Sequence, residues 1–196
     1  QAEFQVLATQ VVLPIDTVSY FDVDAKAMAK FHKHLEGKIQ LRACASIGEA
    51  IKDADMIITA TADKAQRCLF DKEMLKPGVH IHSMGGDCAG KTEMPPDLLK
   101  QCKIVVEYLP QSQQEGEIQN LPNFAVYGEL WQLVNGSLPG RTSDEELTLF
   151  DSVGFALEDF SILRLVYQLS EALKIGQTVN LIPSPTDPKD LYGVLF

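Results

Sequence analysis

The chain has 196 residues, 45% of them hydrophobic and 22% charged, which is enough for one substantial globular domain or a domain and a part. Lys and Arg number 17 against 27 Asp and Glu, for a formal charge of −10, which argues against a nucleic-acid or anionic-membrane partner with its basic footprint but leaves room for a locally positive pocket for an anionic cofactor. No apolar run approaches the roughly 18 residues of a membrane span, and no secretory leader is read.

Residues 1–12 read as a helix already under way, because Phe4, Leu7, Ala8 and Val11 recur at helical spacing. The chain is therefore expected to start inside a larger protein. Pro14 precedes a β-rich run, Thr17-Val18-Ser19-Tyr20-Phe21, that ends in Asp22-Val23-Asp24. A helix is predicted over 25–35, stopped by Gly37, and a strand over 39–44. Ser46-Ile47-Gly48-Glu49 is a capping-box pattern opening a short helix. Residues 55–61 form a near-continuous apolar run, the pattern of a buried parallel strand. A short helix near 71–75 ends at Pro77-Gly78, and a strand over 79–82 follows. Pro95-Pro96 opens another helix, with prolines in the first turn where they are tolerated. A strand is predicted over 103–108, a polar helix over 111–118 and a second short helix over 128–134. Ser143-Asp144-Glu145-Glu146 reads as a helix start, and 148–154 as a last strand and turn. Residues 155–175 read as an amphipathic helix packed on a core, with Phe160, Leu163 and Tyr167 on one side. The tail from 179 on carries a Thr186-Asp187-Pro188 turn and leaves the core.

Strand and helix alternate about six times, which predicts an α/β fold with a Rossmann-like, doubly wound parallel sheet. Ligands of such sheets sit at the carboxyl ends of the strands. Those ends carry Asp22, Thr61, a glycine-rich loop with Asp87, and Glu107. The loop, Ser83-Met84-Gly85-Gly86-Asp87-Cys88-Ala89-Gly90-Lys91-Thr92-Glu93, holds one carboxylate inside a close-approach turn with a cation four residues on. By itself the loop fits either a reactive carboxylate or a weak surface pair. Asp22 has the place of the acid that accepts ribose hydroxyls in a dinucleotide site, which favours NAD over NADP, and it fits an ordinary turn equally. The glycine turn such a site also needs is not among these residues.

Cys44, Cys68, Cys88 and Cys102 are widely spaced and are expected to be buried or half-buried thiols of a reducing cytoplasm. His32 and His34 fall on an exposed helix face, and His80 and His82 on a strand. With no third ligand at metal spacing, no metal is expected.

The chain resembles the ornithine cyclodeaminase/mu-crystallin family, most closely its ornithine cyclodeaminase branch. The matching segments run in order from end to end. They are Gln1-Ala2-Glu3-Phe4-Gln5, Tyr20-Phe21-Asp22-Val23-Asp24, Thr59-Ala60-Thr61-Ala62-Asp63-Lys64, the loop Gly85 through Glu93, Glu115-Gly116-Glu117-Ile118-Gln119, Gly128-Glu129-Leu130-Trp131, Thr148-Leu149-Phe150-Asp151-Ser152-Val153-Gly154 and Asp187-Pro188-Lys189-Asp190-Leu191. In that family a Gly-x-Gly-Ala turn directly precedes a glutamine like Gln1. The resemblance thus implies an NAD-binding domain over 1–175 that lacks its first strand and glycine turn, and a segment over 176–196 returning to a substrate and dimerisation domain. It implies Asp87 as the catalytic, substrate-contacting carboxylate. It places Gln1, Asp22, Thr61, Met84, Gly85, Gly86, Lys91 and Ser152 along the cofactor. Ala89 stands where the family loop often has Pro, which changes loop stiffness and not chemistry.

The activity implied is conversion of L-ornithine to L-proline with release of ammonia, by a cytoplasmic homodimer or higher homo-oligomer. The basic residues that hold the substrate carboxylate in the family lie in the half not seen here, and none of Arg42, Arg67, Arg141 and Arg164 stands at that clamp. The 196 residues alone are therefore expected to be inactive. A lysine cyclodeaminase, an amino- or imino-acid dehydrogenase or ketimine reductase, and a non-catalytic ligand-binding relative remain open as alternatives.

Overall fold

The structure is a computed structural model, and it describes residues 1–63, 65–179 and 189. Lys64, the 186–188 turn and most of the 187–191 motif lie outside the described residues. Two compact units are present, Gln1–Phe155 and Ala156–Phe196.

The first unit begins with α1 (Ala2–Val12), β1 (Thr17–Tyr20), α2 (Ala25–Leu35) and β2 (Gln40–Ala43). Strands β1 and β2 pair in parallel, Thr17 against Gln40 through Tyr20 against Ala43. Helix α2 starts where the Asp24 carboxylate accepts the Lys26 N–H at 2.8 Å. Its buried Phe31 and Leu35 pack with Val6 of α1 and with Val18 and Leu41 of the strands. Its stop follows from Gly37, whose φ of +76° only glycine adopts cheaply.

The chain continues through α3 (Ile47–Ile51), β3 (Met56–Thr59), a 3-10 turn (Lys72–Met74), β4 (His80–Ser83), α4 (Pro96–Leu99), β5 (Lys103–Val106), α5 (Leu109–Glu115), a second 3-10 turn (Glu117–Asn120), β6 (Gly128–Glu129), α6 (Leu130–Val134) and β7 (Thr148–Asp151). Five of these strands form one parallel sheet in the order β3-β4-β7-β5-β6. The last strand in sequence is thus central in space. The parallel α/β sheet expected from the alternation is present.

Alternation along the strands separates two faces. Ile57, Ile81, Leu149, Ile104 and Val106 point to one face, where Ile51, Leu98, Leu99, Phe70, Met94 and Ile118 complete the core. Each such aliphatic side chain contributes about 1.5–3 kcal/mol by its burial. The other face carries His80, His82, Thr148 and Phe150, all half-buried, with the His82 and Phe150 rings 5.2 Å apart.

Three expectations fail. The 143–146 segment forms a turn, not a helix, because the Glu146 carboxylate is drawn to the Thr142 N–H at 3.0 Å and to the Lys103 ammonium. Helix α7 (Ala156–Leu173), which makes up most of the described second unit, has no buried residue, where burial of its apolar side was expected. Cys68 is exposed, while Cys44 and Cys102 are buried and Cys88 is intermediate. No helix among the described residues is long and apolar enough to cross a membrane.

Candidate active site

Because all the strands are parallel, their carboxyl ends lie at one edge of each sheet, and the sequence-predicted residues follow those ends. Asp22 stands two residues past β1, and its Oδ1 accepts the Asp24 N–H at 2.7 Å, leaving the side chain exposed. Thr61 follows β3, the 84–92 loop follows β4, Glu107 follows β5 and Ser152 follows β7.

The loop is built as a bracket. Met84 N–H bonds Thr59 O at 3.1 Å and Ser152 N–H bonds Ser83 O at 2.9 Å, so the three strand ends are stitched side by side. The Lys91 ammonium donates to Asp87 Oδ1 at 3.0 Å. The two partners differ sharply in exposure: the Lys91 side chain is 6% exposed and that of Asp87 is 51%. A buried ammonium needs a counter-charge, so Lys91 anchors Asp87 from beneath while the carboxylate still faces outward. This is more than a surface pair. It is a half-exposed carboxylate at a strand end, held by a cation that water reaches poorly.

Beyond Glu107 at the end of β5, sequence reasoning missed what lies under the loop. Glu93, Glu107, Glu117 and Asp151 are all buried. Glu93 accepts the Thr61 N–H at 2.8 Å with one oxygen and the Gly85 N–H at 3.0 Å with the other, joining the ends of β3 and β4. Glu117 accepts the Ser83 hydroxyl at 3.1 Å and the Glu93 and Met94 N–H groups at 2.9 Å. Asp151 accepts the Glu117 N–H at 3.0 Å. Glu107 accepts the Ser152 hydroxyl at 2.7 Å. Side-chain carboxylates therefore satisfy the buried amides that helices and strands leave over. The glycines had hinted at them. A Cβ on Gly85 would collide with the Glu93 carboxylate, one on Gly86 would stand 2.5 Å from Glu117 Oε1, and one on Gly116 2.5 Å from Asp151 Oδ2.

Thr61, Gly85 and Ser152 are thus tied to one another through Glu93 and Ser83. Among the described residues no hydrogen bond joins Gln1 or Asp22 to that group; they belong to the α1–β1 half.

Burial raises Glu117 to about 7, and the nearby Asp151 and Glu93 charges add to the rise against its two backbone bonds. Burial likewise raises Asp151 to about 7. Burial lowers His80 to about 4, helped by His82 and Arg141, and it lowers His82. The signs oppose. A carboxyl raised in the fold keeps a proton that the unfolded chain releases, so its contribution falls as pH rises from about 4 to 7. A histidine lowered in the fold contributes stability that grows as pH rises from about 4 to 6.5. The two pairs therefore act in opposite directions on stability as pH rises. Asp151→Asn retains an acceptor for the Glu117 N–H but cannot titrate. Between about pH 4 and 7 the thermal melts of that variant should rise more steeply with pH than those of the parent; parallel profiles would contradict the assignment.

A concave region of about 620 Å³ lies at the opposite, amino end of the sheet, beside Lys72, Lys76, Lys100, Cys102 and Lys103. Each of its lysine ammonium groups is already held, by Gln101, Asp55, Asp97 and Glu146 respectively. It lies away from every strand end named above.

A sequence model of the ornithine cyclodeaminase/mu-crystallin family matches residues 1–173. The chain belongs to this family. Over its whole length it is 44% identical to an ornithine cyclodeaminase of Brucella abortus biovar 1 (strain 9-941), of which it covers 55%. The chain thus spans about half the length of the curated relatives it matches. An archaeal alanine dehydrogenase dimer with bound NAD superposes with a TM-score of 0.83 at 31% identity, over 92% of this chain and 57% of that one. A lysine cyclodeaminase, solved to explain its recognition of L-lysine, L-ornithine and L-2,4-diaminobutyric acid, gives 0.84 at 27% identity over 99% of this chain and 57% of that one. Family membership agrees with the resemblance read from the motifs.

Proposed function

We propose that the protein containing this chain converts L-ornithine to L-proline and ammonia with NAD, and that Asp87 is its acid–base residue. The observation that carries the reading is the half-exposed Asp87 carboxylate anchored by the buried Lys91 ammonium at the carboxyl end of β4. The identity to ornithine cyclodeaminases over the whole chain supports the substrate.

The residues fit the dinucleotide. The first-turn N–H groups of α1 carry no side-chain cap, which suits a pyrophosphate. Asp22 lies about 20 residues on, past the end of β1, where a carboxylate accepts ribose hydroxyls and repels a 2′-phosphate. Gln1, Thr61, Met84, Gly85, Gly86, Lys91 and Ser152 would hold the remainder. When bound, the cofactor supplies reversible hydride exchange at the substrate Cα.

Asp87 moves the protons. It takes one from the α-ammonium, so that the Cα–N bond can become an imine. After releasing that proton to solvent, it takes one from the δ-nitrogen as that nitrogen attacks Cα and closes the ring. It returns a proton to the α-nitrogen, which leaves as ammonia. Lys91 holds the carboxylate in place through this sequence, and no net redox change results.

The same proposal assigns 1–175 to the cofactor domain and 176–196 to a return into the substrate domain. It also includes a homo-oligomer in the cytoplasm, supported by the dimeric archaeal relative and by four free cysteines. The chain by itself is proposed to be inactive.

The test is ammonia release from L-ornithine and L-lysine by the full-length protein, with nicotinamide absorbance followed together. Proline and ammonia from ornithine without net NADH is the expected result. Stoichiometric NADH would instead establish a dehydrogenase, the second reading, which the similarity to alanine dehydrogenase favours.

A further inference from the structure

The Glu115-Gly116-Glu117-Ile118-Gln119 segment has no role in the chemistry above, yet its side chains bond the Asp87 loop at several points. Its 3-10 turn, Glu117–Asn120, is fixed from below: the Asp151 carboxylate accepts the Glu117 N–H at 3.0 Å and the Ile118 N–H at 3.4 Å. Ile118 is buried in the core. The side chains on either side of it reach the loop.

Glu117 holds the loop's far end. Its two oxygens accept the Glu93 N–H at 2.9 and 3.0 Å, and Oε2 accepts the Met94 N–H at 2.9 Å. Gln119 holds the middle. Its Oε1 accepts the Gly90 N–H at 2.7 Å, while Nε2 donates to Lys91 O at 2.9 Å and to Cys88 O at 3.4 Å. The near end is held by Glu93, which accepts the Gly85 N–H at 3.0 Å. Between these brackets the N–H groups of Gly86, Asp87, Cys88 and Ala89 donate no hydrogen bond within the described residues. The stretch that carries Asp87 has no ladder of its own.

Beyond the Lys91 ion pair and the Lys91 N–H to Cys88 O bond at 3.1 Å, the place of the carboxylate is set from outside the loop. A carboxylate at 117 accepts two N–H groups at once, one of them with both oxygens, and only an amide at 119 both accepts from Gly90 and donates to two carbonyls. We propose that Glu117 and Gln119 are positioning residues for Asp87, acting through the backbone on both sides of the Lys91 anchor. The proposal rests on Asp87 being the acid–base residue. A catalytic group displaced by about 1 Å loses on the order of 100-fold in rate, so a clamp of this kind acts on turnover more than on binding.

Two measurements test it. The first is amide hydrogen exchange on the full-length protein and needs no turnover. Gln119→Ala should quicken exchange at Gly90, and Glu117→Gln at Glu93 and Met94, by about tenfold or more, with the Ile57 and Ile81 amides unchanged. The second is the split between kcat and KM for ornithine. Both variants should lower kcat about 10- to 100-fold while KM and the cofactor Kd stay near the parent values. Gln113→Ala, an exposed change one turn away, is the control. Parental exchange at Gly90 in Gln119→Ala overturns the proposal, as does faster exchange with parental kcat. If the full-length protein does not cyclise ornithine at all, the functional reading falls, while the exchange data still decide whether the clamps order the loop.

Discussion

Asp87→Asn in the full-length protein should abolish proline formation, with a loss of at least the 10²- to 10⁴-fold, in order of magnitude, that positioned acid–base groups contribute. The variant should still fold. The substituted carboxamide keeps an oxygen at the place where the Lys91 ammonium donates at 3.0 Å, so the buried cation is not orphaned. It should also still bind NAD, since the proposed cofactor contacts at Asp22 and at the α1 N-terminus lie in the other half of the unit and share no hydrogen bond with Asp87. Titration of nicotinamide fluorescence and an ammonia assay on the same sample check both halves of this expectation. Parental ammonia release would remove Asp87 from the chemistry, and loss of cofactor binding would recast it as a structural residue.

Gly85→Ala should be the most destabilising small substitution in the loop, by about 3 kcal/mol or more, while Gly90→Ala should cost only about 1–2 kcal/mol, as for a left-handed residue. The two glycines are required for different reasons. Gly90 has a φ of +82° and open space where a Cβ would go. At Gly85 the added methyl group would collide with the Glu93 carboxylate. Glu93 is 1% exposed and cannot swing aside without releasing the Thr61 and Gly85 N–H groups that it satisfies. Overpacking and the orphaning of buried donors then act together. Urea denaturation of the two variants side by side measures the difference. Equal losses would mean that the Glu93 bracket yields more readily than its bonds imply.

Much of this site was legible before folding. The continuous apolar run at 55–61 identified a buried parallel strand, and parallel strands send their carboxyl ends to one edge, so Asp22, Thr61, Asp87 and Glu107 followed from counting, whereas Ser152 rested on the family resemblance. Capping chemistry was equally local. Ser46 accepts the Glu49 N–H at 3.2 Å as its spacing implies, although the Glu49 carboxylate reaches back to the Ala45 N–H at 2.9 Å instead of to Ser46. The same local logic failed at 143–146, where acidic residues that commonly open a helix were claimed by Thr142 and Lys103. It failed again at α7, where apolar spacing was read as core packing and no residue is buried.

The carboxylates beneath the loop were not legible, and the reason is distance along the chain. Glu107 is placed at a strand end by the sequence, but Glu93, Glu117 and Asp151 look there like solvated acids. Each becomes a structural group only because folding brings an unsatisfied donor to it from elsewhere: Thr61 to Glu93 across 32 residues, and Glu117 to Asp151 across 34. Local spacing reports periodicity, caps and turns, because those bonds close within a few residues. It therefore carried the fold class, the edge of the sheet and the position of Asp87 on it. Burial of charge is a property of the assembled core. Only the packed sheet could show that Lys91 is enclosed, that the glycines at 85, 86 and 116 make room for carboxylates, and that the loop bearing Asp87 is held by residues outside it.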